Sequence, residues 1–345
     1  MFNYVKNFFK VNNSSDSSIV FSDVNCDVHD YSSNVDLVLK NACINRSISL
    51  IVNSITSLNF VVFKDGVKDN SSFVFNILCN PSDSVYFSDF IETFVWNFLI
   101  YGNSFVLLNK NELNSFDLIN LPSSTSVYLN ESKTKVAGYT YSINEKKQNF
   151  VANNKDLPLV GHFKRFNPTN TWYGYSFIDP VRSSANLYQQ IDRHNLSVIS
   201  NGGRPSGILS ISPSKMLTSE EKVDFAKRFK EQNAGPDKAG QIFVLNGDCQ
   251  WHQLSGTVKD MDYSDAARRA VRSIASGLGV PANLVGDLSI SGENSRANID
   301  GLFEIFNKST VMPLANKISQ FLTNFFRTID SKIEIKLVDD NGKIE

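Results

Sequence analysis

Between Asp262 and Gly286 the chain reads DYSDAARRAVRSIASGLGVPANLVG, a segment whose two ends are both fixed by residue chemistry. Ala267, Val271, Ile274 and Leu278 recur at helical spacing, and Arg268, Arg269 and Arg272 fall mostly away from that stripe. Asp262 is placed to accept from the first-turn amides as an N-cap, and Asp265 suits the positive end of the helix dipole. Gly279 followed by Pro281 ends the helix, because glycine reaches the left-handed backbone conformation and proline cannot continue the hydrogen-bond ladder. Any fold of this chain must therefore seat a helix with one packing face and one basic face, then turn the backbone sharply.

The 345 residues are 41% hydrophobic, enough for one large domain or two or three modest ones with a sizeable core. Lys plus Arg (34) nearly balances Asp plus Glu (35), so the formal charge of -1 gives no electrostatic basis for tight wrapping of a nucleic acid, and any DNA contact is expected to be weak or transient. Cys26, Cys43, Cys79 and Cys249 form no C-x-x-C pair, which argues against a zinc site and a disulfide framework and fits assembly in a reducing, intracellular place. The opening MFNYVKNFFKVNNSSDSS lacks the continuous apolar core of a signal peptide. Phe90 to Leu108, the most apolar run, is interrupted by Glu92, Asn97, Gly102 and Asn103 and reads as a buried helix followed by a strand, not a membrane span.

Residues from about Asp36 to Leu58 place Ile44, Ile48, Ile51, Ile55 and Leu58 on one helical face, predicting a core helix. LNFVVFKDG predicts a strand running into an Asp65-Gly66 turn, Asn80-Pro81 breaks the chain, and SFVLLNKN, SFDLINL and TSVYLN predict short strands, so residues 103 to 165 read as mainly β. Asp179-Pro180 announces a helix that Asn201-Gly202-Gly203 ends, with Val181, Ala185, Tyr188, Ile191 and Val198 as its apolar stripe. A shorter surface helix begins at Thr218, where Glu221 completes a capping box, and stops at Gly235-Pro236. QIFVL and CQWHQL flank Asn246-Gly247-Asp248, a hairpin signal. The final helix, about Asn294 to Arg327, contains Pro313 and is expected to kink there. Strands are grouped and do not alternate regularly with helices, which defines an α+β class.

Catalytic chemistry is sparse. His29, His162, His194 and His252 are scattered and belong to no metal-binding pattern. Gly235 to Gly240 resembles half a phosphate loop, but Gln241-Ile242 stands where Lys-Ser or Lys-Thr is needed. Gly174-Tyr175-Ser176 opens like a nucleophile elbow, yet Ile178 replaces the second glycine. Asp260, Asp262 and Asp265 are of the right chemistry to gather a hard cation, giving a metal-dependent nucleic-acid-processing enzyme as an alternative reading, although capping and the helix dipole already account for acidic residues at a helix start. The three arginines suit phosphate, ion pairs with a neighbouring subunit, or a solvated face. Tyr188, Phe325 and Phe326 lie on helical stripes and read as core. No cofactor is expected.

Several stretches, taken in order, resemble the portal proteins of tailed bacteriophages and related gene-transfer particles. They are ACINRSISLIVNSITSLNFVVF, then NP followed by FIETFVWNFLIYGNSFVLL, then INLPSSTSVYL, HFKRFNPTNTWYGYSFIDPVRSSANLYQQI and NGGRPSGILSIS. GQIFVLNGDCQWHQLS, RSIASGLGVPANLVG and SRANIDGLFEIFNKSTVMPLANKI continue the series, so the resemblance covers about residues 40 to 320. It implies an α+β subunit with a mixed α/β wing, a helical stem and a small αβ clip, assembling as a ring at one capsid vertex, usually dodecameric in that family.

On that resemblance, residues 1–178 would form the amino-terminal wing region, 179–203 and 260–281 the two stem helices, 204–259 the clip, and 282–295 the tunnel loop. Residues 296–345 would form the kinked wing helix and a short tail. Asp287, Leu288, Ser289, Ile290, Ser291, Gly292, Glu293 and Asn294 become candidates for lining the channel. The stretch carries no Lys or Arg, which suits a conduit past which a phosphate backbone slides. Arg268, Arg269 and Arg272 become inter-subunit candidates, and Asn246, Gly247, Asp248 and Trp251 candidates for the clip and terminase contact. The implied partners are copies of the same chain, the major capsid protein, the terminase large subunit, head-completion or tail proteins, and double-stranded DNA passing non-specifically; no membrane is implied. An adaptor or scaffold retained from a defunct prophage is the other alternative. IEIKLVDDNGKIE reads as a polar strand-like tail that leaves little room for a helical crown.

Overall fold

The computed structural model describes residues 32–110, 115–143, 146–152, 157–200, 207–211, 218–221, 223–224, 227–228, 249–253, 263–287 and 295–339. The helices α1 (Ser32–Lys40) and α2 (Ala42–Thr56) lead into β1 (Asn59–Lys64) and β2 (Val67–Lys68), followed by α3 (Phe73–Cys79) and α4 (Phe87–Tyr101). Six strands come next: β3 (Asn103–Lys110), β4 (Phe116–Leu121), β5 (Ser126–Leu129), β6 (Val136–Ile143), β7 (Lys146–Val151) and β8 (Leu159–Lys164). After α5 (Arg182–Ser200), β9 (Gly207–Ile211) and β10 (Cys249–Gln253), the chain forms α6 (Ser264–Gly277), α7 (Ser295–Phe306), α8 (Met312–Phe326) and β11 (Ile333–Val338). Two compact units result, one of residues 1–181 with 275–345, the other of Arg182–Ile274.

In the first unit, α2 and α4 pack together and bury Ile44, Ile48, Ile51, Ile55, Phe90, Phe94 and Leu99 completely or nearly so. The predicted single helix over 36–58 is two helices, because Asn41 leaves helical conformation and its side chain accepts from the Ile44 N–H as the N-cap of α2. The Asp65-Gly66 turn forms with positive φ at both residues (52° and 79°) and joins β1 to β2. Gly102, left-handed at φ 72°, ends α4 and starts β3. β3 is the centre of a sheet ordered β4-β3-β8, and a second sheet is ordered β5-β6-β7. Phe105, Leu107, Leu121, Val127, Tyr139, Phe150 and Tyr173 form one buried cluster drawn from both sheets. Gly161 on β8 has no room for a side chain, since a Cβ there would meet Phe325 and Phe321 of α8.

The carboxy-terminal strand is not a polar tail. β11 pairs antiparallel with β1 over its whole length, from Asn59 opposite Val338 to Lys64 opposite Ile333, and buries Ile333, Ile335 and Leu337. It is an edge strand, and most of the backbone groups pointing away from β1 are taken up by side chains of α8 and its C-cap residue, Arg327. Leu337 N–H donates to Ser319 Oγ (3.0 Å). Ile335 N–H donates to Thr323 Oγ1 (2.9 Å), which donates back to the Ile335 carbonyl (3.2 Å), and Arg327 Nε donates to the Ile333 carbonyl (3.0 Å). Residues 319, 323 and 327 lie four apart, so they share one helix face and match alternate residues of the strand.

The final helix is interrupted before Pro313, not at it. Residues Asn307–Val311 form a π turn in which Met312 N–H reaches the Asn307 carbonyl, five residues back, and Pro313 sits in the first turn of α8. The pattern of buried residues explains this placement. Phe306 and Val311 are both buried but five apart, which in an α-helix would set them about 140° from each other. One extra residue in the turn brings both to the core. α8 then resumes α spacing with Ala315, Ile318, Leu322 and Phe326 buried.

In the second unit, α5 and α6 run side by side, with Ser184 Oγ donating to Ser273 Oγ (2.9 Å) and the His194 ring edge-on to Tyr263 at 5.3 Å. Of the stripe expected on α5 within this unit, Ala185 and Ile191 are buried and Tyr188 and Val198 half-buried. The capping box is present: Thr218 N–H donates to Glu221 Oε2 (2.8 Å) and Glu221 N–H to Thr218 Oγ1 (3.3 Å). β10 pairs antiparallel with β9, from Cys249 opposite Ile211 to Gln253 opposite Gly207. QIFVL, the strand expected across the Asn246-Gly247 turn, lies outside the described residues.

Candidate functional site

The helix from which the sequence reading started begins at Ser264, its first intrahelical bond running from Ala267 N–H to the Tyr263 carbonyl. Asp260 and Asp262 lie outside the described residues. The buried positions of α6 are Ala270, Ile274 and Ala275, continued by Leu278 and Val280, while Ala267 and Val271 are only half-buried. The packing face is therefore turned toward Ala270 and Ala275 relative to the predicted stripe. Arg268 and Arg269 are exposed, Arg272 is half-buried, and Arg268 pairs with the still more exposed Asp265 at 3.4 Å. An ion pair of that kind contributes little to stability.

The helix ends as glycine and proline predicted, and the cap is complete. Val280 N–H donates to the Ala275 carbonyl (2.9 Å) and Gly279 N–H to the Ser276 carbonyl (3.0 Å), with Gly279 at φ 74°. These are the two bonds of a Schellman cap, with Ala275 and Val280 both buried as its apolar pair. Pro281 then opens a 3₁₀ turn, Ala282–Val285, and Gly286 at φ 113° redirects the chain. Asp287 N–H donates to the Ala282 carbonyl (3.1 Å), and the Asp287 side chain is buried within the subunit. Leu288, Ser289, Ile290, Ser291, Gly292, Glu293 and Asn294 lie outside the described residues, as do Asn246, Gly247 and Asp248. Trp251 stands in the middle of β10, opposite Leu209.

The second concentration of distinctive residues, HFKRFNPTNTWYGYS, proves to be a packing joint. Gly174 N–H donates to Asn103 Oδ1 (2.7 Å), which also lies 3.0 Å from His162 Nε2, and Arg165 N–H donates to the Gly102 carbonyl (2.9 Å). Asn167 and Asn170 side chains each accept from two backbone N–H groups, folding the intervening loop on itself. Tyr173 carries its hydroxyl to the Val127 N–H (2.8 Å). The Arg165 guanidinium lies 3.8 Å above the centre of the Phe177 ring. Ser176, the residue in the nucleophile position of the elbow-like sequence, is 1% exposed, and its hydroxyl donates to the Ile100 carbonyl (2.6 Å) while accepting from Asn34 Nδ2 and Ile178 N–H. Such a hydroxyl is committed to structure. Sequence reasoning did not anticipate the role of Asn103, although a polar residue directly after a helix-ending glycine is a signal that it caps something.

His162 stacks on Phe105 with ring centres 4.2 Å apart and meets Tyr139 edge-on. Burial, with a smaller contribution from the Lys164 charge, pushes its imidazole down to about 3 from an ordinary 6.5. The neutral ring is thus favoured in the folded protein, so its contribution is fully present above pH 6.5 and is lost progressively as pH falls toward 3. Between pH 6.5 and 5 the loss is expected to reach about 2 kcal/mol, at about 1.4 kcal/mol per unit. Urea unfolding at the two pH values checks this: His162→Gln keeps a donor for Asn103 without the titration and should lose that much less than wild type, and parallel losses would refute the assignment.

Among the described residues, no group of three or more His, Cys, Asp and Glu is placed to hold a metal, and no helix is long and apolar enough to cross a membrane. Cys43 and Cys79 are free thiols, and burial pushes Cys43 up to about 11, a poor nucleophile.

This α+β arrangement of small antiparallel sheets braced by long helices is a portal-type fold. It superposes on a chain in the neck of an empty gene transfer agent particle with a TM-score of 0.68 over 92% of this chain and 85% of that one, at 22% identity. A neck of the native particle computed with C12 symmetry gives 0.64 over 90% and 84%. The crystal structure of an HK97-family phage portal protein from Corynebacterium diphtheriae gives 0.60 over 87% and 93%, at 14% identity. In sequence, residues 42–340 match the phage portal protein family, and the chain belongs to it. It is 28% identical over 313 residues to an uncharacterized protein of Rickettsia bellii, covering 90% of this chain and 80% of that one. It is also 26% identical over 272 residues to the portal protein of Enterobacteria phage HK97, covering 76% and 61%. Members of this family are structural and not enzymatic.

Proposed function

We propose that copies of this chain, twelve in number, close into a ring at one vertex of a phage-like capsid and form the channel through which double-stranded DNA enters and leaves. The observation that carries this is the family match over 42–340, joined to a fold shared with the neck of a particle resolved with twelve-fold symmetry. In this reading the major capsid protein surrounds the ring, the ATP-driven terminase large subunit docks during packaging, and head-completion or tail proteins replace it. The unit Arg182–Ile274 supplies stem and clip, with Asn246 to Asp248 and Trp251 on the terminase side. Asp287 to Asn294 lead toward the channel, where the lack of basic residues lets the phosphate backbone slide. The exposed Arg268 and Arg269, with Arg272, meet the neighbouring copy.

Native mass measurement at high protein concentration, with electron microscopy in the presence of capsid protein, tests the reading. Rings are expected, and Arg268→Glu with Arg269→Glu should shift them toward smaller assemblies. Monomers alone, with no rings in the micrographs, would end the proposal; rings indifferent to the two substitutions would remove only the role of the arginines.

A further inference from the structure

One end of β8 carries a knob and the other a groove. Just beyond Lys164 the phenyl ring of Phe166 is 84% exposed. It stands on a backbone with little freedom. Arg165 N–H extends the β3–β8 ladder onto the Gly102 carbonyl, the Arg165 guanidinium donates to the Ser176 carbonyl (3.2 Å), and Asn167 and Asn170 each accept from two backbone N–H groups. A lone exposed apolar residue is ordinary on a protein surface. One held on a backbone already fixed is suited to be a contact, because burying it costs little further ordering and covers the area of an aromatic ring.

At the other end, Leu157 and Leu159 help to line a groove of about 650 Å³, together with Phe73, Phe116 and Ile329. Phe73 and Phe116 meet edge to face with ring centres 4.6 Å apart, both remain half-buried, and Ile329 is 45% exposed. The polar side of the groove is the Lys64–Asp330 ion pair at 2.8 Å. Knob and groove belong to the same unit, residues 1–181 with 275–345. The extended strand between them spans roughly 17 Å, so Phe166 does not reach the groove of its own chain.

Their charges are opposite in sign. From His162 to Ile178 the chain carries Lys164 and Arg165 and no acidic residue. Lys64, beside the groove, is attracted by three carboxylates, Asp330, Asp69 and Asp65, of which Asp65 also holds Lys332 at 3.0 Å. Carboxylates therefore outnumber the lysines there, and a basic loop is steered toward them.

We propose that in the ring, whose existence rests on the portal reading above, Phe166 of one copy seats in the groove formed by Phe73, Phe116 and Ile329 of the next. Two different patches meet in such a contact. It is head-to-tail and passes from copy to copy until the ring closes, whereas a patch that meets itself stops at two copies.

The full-length protein with p-benzoylphenylalanine in place of Phe166 tests this, in rings assembled with an equal amount of heavy-isotope-labelled wild-type chain. After irradiation, residue 166 of the unlabelled copy should be joined to labelled peptides around Phe73, Phe116 or Ile329. Independently of the probe, Phe166→Ala and Ile329→Ala should each raise the protein concentration needed for half-assembly about tenfold, with circular dichroism unchanged because both side chains are exposed. The double variant should do little more than either, since each substitution removes the same contact. Rings in which residue 166 is joined to another surface, to residues 1–31 of its own chain or to nothing would overturn the contact and leave the ring standing. So would losses that multiply in the double variant. Wild type that forms no rings would contradict the portal reading, and the contact would fall with it.

Discussion

Gly174→Ala is expected to prevent the first unit from folding, at a cost of about 4 kcal/mol or more, beyond the range of ordinary point substitutions. A Cβ at residue 174 would lie 2.8 Å from Arg165 N and 2.9 Å from the Gly102 carbonyl carbon, and closer still to the Gly102 oxygen. From the opposite side, a Cβ at Gly102 would stand 2.5 Å from the Tyr175 carbonyl carbon and oxygen, at a residue already left-handed. Every obstacle is backbone, so no rotamer change relieves it. The crossing also supports Asn103, whose carboxamide oxygen serves Gly174 N–H and sits against His162, so displacing the loop unpairs buried groups. The urea midpoint of soluble protein measures the effect. Gly301→Ala is the matched control, because a Cβ there meets nothing within 4 Å and helix propensity favours alanine by up to about 1 kcal/mol. A Gly174→Ala protein as stable as wild type would refute the crossing.

Ala275→Asp is the second large effect expected. Ala275 is fully buried, and its carbonyl accepts from both Leu278 and Val280 N–H at the cap of α6. A carboxylate there loses its hydration with no cation provided for it, or takes up a proton at a cost that grows with pH. A loss of about 3–5 kcal/mol is expected, comparable to leaving a buried charge unpaired. The sign is pH-dependent: the variant should recover part of its stability as pH falls and the carboxyl protonates. Circular dichroism melts at pH 7 and 5 check both size and direction, and a melting temperature equal to wild type at pH 7 would show that the packing face of α6 lies elsewhere.

Much of the fold was legible because single residues with strict backbone demands stand at the turning points. Gly102 separated α4 from β3, Asp65-Gly66 marked the β1–β2 turn, Thr218 and Glu221 announced their capping box, and Gly279-Pro281 fixed the end of α6. Boundaries resting on partners remote in sequence were not legible. Asn41 divides α1 from α2 without any proline or glycine to advertise it, and Ile333–Val338 read as polar because its apolar half is only every second residue. The π turn was present in the sequence as a five-residue step from Phe306 to Val311, but Pro313 beside it drew the explanation. The order of motifs was enough to identify the family. The channel and contact surfaces are another matter, because a ring lining is defined by symmetry between copies, and no local pattern within one chain encodes which residues face the axis.

The stripe Ser319, Thr323, Arg327 has a bearing on how copies can associate. A free sheet edge offers any passing strand a row of unmet amides and carbonyls, and assemblies that grow by recruiting strands have no natural stopping number. Along Ile333–Val338 most of those groups, from Ile333 to the Leu337 N–H, are already occupied from within the same chain. A neighbouring strand therefore meets few unmet backbone groups at this edge, and a copy that packed here would have to do so through side chains.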